Sequence, residues 1–195
     1  TMYEEIDIFW NQELKFRPGF NTDESVTVPV LLAKVSGVKD GNIKNYWSSI
    51  QKLVTPDTIV ATKPAYMRLN ENDRQLARLF VGKDGVFRDK IRNHNSFQYG
   101  YLRDETLEYM FDKLDLLLKN KTIKGMFESG TEYDVAATVL NLPKNIVRLI
   151  QAFDFTQKNP KMIYVLTDES PVTIEDAILV NYLSLIGFDV VIFVP

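Results

Sequence analysis

Cysteine is absent from these 195 residues, histidine occurs once, and no glycine-rich phosphate loop is present. The first absence excludes disulfides, thiolate metal sites and a cysteine nucleophile. The second removes two-histidine metal sites. It leaves His94 alone among Asn93, Asn95 and Ser96, a loop-like neighbourhood that reads as an exposed or helix-capping histidine without a nucleophile motif beside it. The third counts against dinucleotide binding. No apolar run approaches the roughly 20 residues needed to cross a bilayer, and Glu4, Glu5 and Asp7 make the start unlike the basic opening of a signal peptide. Together these absences point to a cytoplasmic chain with no membrane segment and offer no metal site or identifiable cofactor.

What remains is ordinary globular composition, 45% hydrophobic and 25% charged, in a length that suits one large domain or two small ones. The net charge of −3 is unevenly spread. Nine basic residues lie between Lys63 and Arg103 against four acidic ones, so this stretch is +5 and the rest of the chain is −8.

Apolar residues alternate at Val26, Val28, Val30 and Leu32 and continue to Val35, which predicts a strand. Pro29 makes it an edge strand or one that begins after the proline. Asn42 is a good cap for a helix carrying Ile43, Tyr46, Trp47 and Ile50 on one face, and Ile59 to Ala61 reads as a short strand. The middle is helical. Leu76, Leu79 and Phe80 share a face closed by Gly82, and Val86, Phe87 and Ile91 share another. A long core helix runs from Asp104 to about Lys119 on Leu107, Met110, Phe111, Leu114, Leu117 and Leu118. Two more follow over Thr131 to Leu140 and Pro143 to Phe153.

The tail, Lys161 to Pro195, reads as strand, helix and strand. Met162 to Leu166 and Asp189 to Val194 are nearly all apolar, as parallel strands buried on both faces are, and Thr173 to Ile186 is the crossover helix. Two such strands cannot bury themselves. The expectation is therefore a helix-rich α/β chain with a small, mostly parallel sheet, either a fragment of a larger protein or a sheet that recruits strands from elsewhere in the sequence. Residues 1–160 form a mixed, mainly helical domain on this reading, and residues 161–195 form the start of an incomplete α/β domain or part of the same sheet.

Two constellations could carry chemistry. Asp168 and Glu169 follow the first tail strand, and ligands of open parallel sheets bind beyond strand carboxyl ends, where a carboxylate can hold a hydroxyl or a metal. Alternatively, Thr173 caps the helix with Glu175 and Asp176 behind it and the other acids are solvated loop. Arg74 and Arg78, and then Arg88 and Arg92, are each four residues apart, so each pair lies on one helix face. Guanidiniums there suit phosphate or carboxylate groups, and Phe97, Tyr99 and Tyr101 nearby could stack on bases. A solvated face paired with the protein's own acids fits the same spacing.

The stretch Asp134 to Phe153 resembles a helix-turn-helix, with Ala137 small, Asn141 at a left-handed turn position, Val147 and Ile150 packing, and Lys144, Asn145 and Arg148 outward. The missing turn glycine and a pI near 5.3 count against nucleic-acid binding.

Val28 to Asp40 followed by a helix, together with Pro171 to Pro195 and its run from Leu183 to Val190, resembles the bacterial YceG-like proteins. That resemblance implies a cytoplasmic component of a biosynthetic module encoded with tellurium-resistance and general-stress genes in Gram-positive bacteria. It implies a longer protein and supplies no catalytic residues. The combined expectation is a chain that binds an anionic small molecule, such as a nucleotide or sugar phosphate, through Arg74, Arg78, Arg88, Arg92, Asp168 and Glu169, with other proteins of the same operon as partners. The alternative is a non-catalytic interaction module.

Overall fold

The computed structural model describes residues 2–23, 27–62, 66–120, 130–167 and 172–195. The chain forms two compact units, one of Thr1–Pro64, Ala152–Ser170 and Gly187–Pro195 and the other of Ala65–Gln151 and Pro171–Ile186. Among the described residues there are eight α-helices and six strands, in the helix-rich α/β arrangement that the sequence pattern implies.

The first unit is built on a four-stranded sheet of order β1-β6-β5-β2, with β1 Leu32–Ser36, β2 Thr58–Ala61, β5 Lys161–Val165 and β6 Asp189–Val194. Every neighbouring pair is parallel, with Ile163 opposite Val191, Ala33 opposite Val191 from the other side, and Val60 opposite Ile163. The two tail strands lie at the centre, and strands from the first third of the sequence take both edges. That order explains their composition. Met162, Ile163, Tyr164, Val165, Val190 and Val191 are all buried, as central strands covered on both faces must be.

One face of this sheet presents Val35, Ile163, Val165, Val191 and Phe193 to Ile6 and Trp10 of α1 (Met2–Asn11) and to Tyr46, Ile50 and Leu53 of α2 (Ile43–Leu53). Asn42 caps α2 as its sequence position suggests, accepting from the Lys44 and Asn45 N–H groups. Trp47, expected on the inner face, is 38% exposed instead. Strand β1 starts after Pro29, at Leu32, because a proline has no N–H to give the ladder. Val26 lies outside the described residues.

The second unit is helical. Helix α3 (Glu71–Phe80) opens on a reciprocal capping box between Asn70 and Asp73 and buries Ala77 and Phe80. Leu79, which the spacing puts beside Phe80, is half exposed, and the small Ala77 takes the inward position against Ala136 and Ala137. A hairpin of β3 (Val81–Gly82) and β4 (Gly85–Val86) separates α3 from the short α4 (Arg88–Arg92), an element that the helical reading of this stretch passes over. Helix α5 (Asp104–Asn120) buries Leu107, Met110, Phe111, Leu114 and Leu117 on its expected stripe. It packs against α6 (Thr131–Leu140) and α8 (Ile174–Ile186), tied by Tyr182 Oη donating to the Met110 carbonyl at 2.9 Å. Helix α7 is Lys144–Ala152.

Helix α6 is buried on almost every side, from Val135 to Val139, so it is an interior element and not the first helix of a surface reading head. Asn141, read as a left-handed turn residue, has φ −128°. The turn is closed instead by Asn141 Nδ2 donating to the Ala137 carbonyl, and by Tyr99 Oη, which accepts from the Leu142 N–H.

Candidate functional site

The four arginines occupy the second unit in two separate settings. Arg74, on α3, donates to Asp134 of α6 at 2.9 Å and to Glu175 of α8 at 2.5 Å. Arg78, one turn on, is exposed, and its guanidinium lies 5.2 Å from the centre of the Tyr133 ring with no ion pair among the described residues.

Arg88 and Arg92 meet a stripe of carboxylates at positions 104, 108, 112 and 115 of α5, spaced so that they share one helix face. Arg88 donates to Asp112 at 2.7 Å, to Asp115 at 2.9 Å and to Glu108, and Arg92 donates to Asp104 at 3.0 Å and to Glu108. Burial alone would lower the Arg88 pKa. The hydrogen bonds to Asp112, Asp115 and Glu108 outweigh it and hold the group above arginine's ordinary value. Both guanidiniums also lie against the Phe111 ring. Two cations facing four carboxylates form a net negative patch, which repels an incoming anion.

Asp168 and Glu169 lie outside the described residues. The residues that follow them are not idle. Thr173 caps α8 through its hydroxyl on the Asp176 N–H, and the buried Asp176 carboxylate accepts from the Tyr66 and Met67 N–H groups at 2.9 Å each. His94 is half-buried, its Nδ1 2.6 Å from Ser96 Oγ and its ring edge-on to Phe80. Beside it a cleft of about 270 Å³ runs between α3 and α6, with Phe80, Ile91 and Phe97 in its wall and the Gln98 and Asn141 carboxamides joined at 3.2 Å.

A site in the first unit escaped the sequence reading. Asp189, the first residue of β6, is completely buried and accepts two hydrogen bonds from Arg17, at 2.8 and 2.7 Å, one from the Leu31 N–H at 2.9 Å and one from Lys161 Nζ at 2.7 Å. Arg17 also donates to the Pro29 and Phe9 carbonyls and stacks on the Phe9 ring, while its Nε has no partner. Burial pushes the Asp189 carboxyl up, but Arg17 and Lys161 together hold it below the usual carboxylate range. Lys161 sits 4.8 Å over the Trp10 ring and forms part of the wall of a second cleft, of about 410 Å³. The sequence does carry a signal for this cluster. Asp189 is the lone charge in an otherwise apolar strand, and Arg17 is the only arginine before Arg68.

Among the described residues no group of three or more His, Asp and Glu side chains is arranged to hold a metal ion, and no helix is long and apolar enough to cross a membrane. No solved structure matches the chain. A protein of Bacillus subtilis (strain 168), described as "Uncharacterized protein YceG", is 26% identical over 204 residues. That alignment covers all of this chain and 38% of the relative, so the chain spans a little over a third of its relative's length. The YceG domain profile matches residues 1–195, and the chain therefore belongs to the YceG domain family.

Proposed function

We propose that this chain is a small-molecule-binding component of a bacterial biosynthetic module, cytoplasmic and linked to tellurium resistance and general stress, and that its ligand is an anion such as a nucleotide or sugar phosphate. Membership of the YceG domain family supports the setting. The observation that carries the ligand class is Arg78. Of the four arginines it is the one not already engaged by a carboxylate among the described residues, and its guanidinium lies over the Tyr133 ring. A stacked guanidinium keeps its planar fork of N–H donors for a phosphate or carboxylate. Arg74 shares its helix face and is tied to Asp134 and Glu175. The role narrows accordingly, because recruiting Arg88 or Arg92 would mean breaking their pairs with α5. Asp168 and Glu169 are proposed as a separate carboxylate pair for a hydroxyl or a metal ion, on the strength of following the carboxyl end of a strand in a parallel sheet.

Calorimetric titration of ADP and of glucose 1-phosphate tests the reading. Wild type binds at least one of them, and Arg78→Ala weakens that binding by about tenfold or more with its Tm within about 2 °C of wild type. Arg88→Ala lowers Tm and leaves affinity unchanged. Absence of binding by wild type, or equal binding by the Arg78 variant, overturns the assignment.

A further inference from the structure

Lys161 and Asp189 are register partners at the amino ends of β5 and β6, and Arg17 completes a three-membered cluster with them. The Arg17 and Asp189 side chains have no exposed surface, and that of Lys161 retains 14%. Two cations and one carboxylate leave an excess positive charge in a largely dry place, which is unfavourable. Arginine does not release its proton in proteins. The Asp189 carboxylate is already satisfied by two Arg17 donors and the Leu31 N–H, so it does not depend on Lys161. Removing one proton from Lys161 therefore leaves a neutral, two-pronged Arg17–Asp189 pair and an uncharged amine at the wall of the 410 Å³ cleft. Other charged groups lining that cleft are Asp57, Glu13 and Lys158, and Glu13 is paired to Lys15 at 2.8 Å. The Lys161 pKa lies below lysine's ordinary value, chiefly through burial, with Arg17 adding to the shift and Asp189 opposing it.

We propose that Lys161 is a nucleophilic amine that forms an imine with a small aldehyde or ketone bound in this cleft. The uncharged Nζ attacks the carbonyl carbon, a C–N bond forms and the π electrons move to oxygen, which takes up a proton. The carbinolamine then loses water by cleavage of its C–O bond. Overall, an ammonium and a carbonyl become a protonated imine and one water, with no oxidant or reductant. The iminium keeps a positive charge beside Asp189, so the cluster regains the charge count it had before reaction. The Trp10 ring beneath Nζ shields that cation from water. A cleft of this volume falls within the range of small-ligand sites. The assignment is independent of Arg78.

Reductive trapping decides the matter. The chain is incubated with glyoxylate or benzaldehyde and cyanoborohydride at a series of pH values, and each lysine is followed by peptide mass spectrometry. Lys161 is expected to label at least about fivefold faster than Lys158, an exposed lysine on the same cleft, with a pH midpoint below that of the exposed lysines. Equal or slower labelling of Lys161, or a midpoint shared with the exposed lysines, overturns the proposal. Lys161→Arg keeps a cation opposite Asp189 and removes the nucleophile, so a fast label that survives in this variant also overturns it. Should that variant fail to fold, the site-resolved profile of wild type stands as the deciding measurement.

Discussion

Asparagine at position 189 would keep the shape of the side chain and remove the charge that Arg17, Lys161 and the Leu31 N–H share. The Arg17 guanidinium, which cannot shed its proton, would then stay buried without a counter-ion, a change that costs about 3–5 kcal/mol in comparable buried pairs. Asp189→Asn is therefore expected to lower the urea midpoint sharply. A loss under about 1 kcal/mol would mean that water or another group compensates the cation. The same carboxyl sets a pH dependence. Its pKa is depressed in the folded chain, so its contribution is complete above the unfolded value near 3.8 and disappears as pH falls through the lower folded value. Denaturation followed from about pH 5 downward should show this acid slope in wild type and a shallower one in Asp189→Asn. Neither Arg17 nor Asp189 belongs to a motif. Their pairing joins residues 172 positions apart, and a contact at that separation has no local spacing by which to announce itself.

At the scale of elements, the turn that leads into β6 is tight. Gly187 has φ +120°, and a Cβ there would lie 2.7 Å from the Phe155 ring, while its carbonyl accepts from the buried Asn159 amide. Gly187→Ala should cost about 1–3 kcal/mol from backbone strain and overlap together. An unchanged melting temperature would mean that Phe155 swings aside freely. Elements with many like residues on one face were legible from sequence. The α5 stripe, the Asn42 cap, Thr131 to Leu140 and the paired tail strands all follow from periodicity and capping chemistry. The brief hairpin was not, and neither were the packing partners of α6. The two-residue strands of the hairpin are too brief for a period, and α6 is apolar on so many sides that no outward face identifies its neighbours. The arginine spacing located two helix faces correctly, yet which acids they meet depends on where α5, α6 and α8 pack, and that is tertiary information.

For the molecule as a whole, high pH offers a test of helical packing. Tyr99, Tyr109 and Tyr182 all sit in the second unit, and burial raises each phenol above its ordinary value of 10, that of Tyr109 to about 12. Their contribution is complete below the unfolded value and is lost as pH climbs through the folded ones, because the unfolded chain ionises first. Tyrosinate absorbance should rise in two stages, with the later one coinciding with loss of helical circular dichroism. A single smooth rise, with helicity intact, would mean that these phenols reach water without unfolding.

The strand order sets a timetable for synthesis. Both flanking strands, β1 and β2, leave the ribosome early, but they stand at opposite margins and cannot zip to each other; each must wait for a central strand that is translated after Asn159. At about 5–20 residues per second that delay is of the order of ten seconds. During it the nascent chain carries Val35, Ile59 and Ala61 unprotected. Sheet assembly is thus a late, long-range event governed by contact order, and a chain halted before Asp189 is a natural client for holdase chaperones.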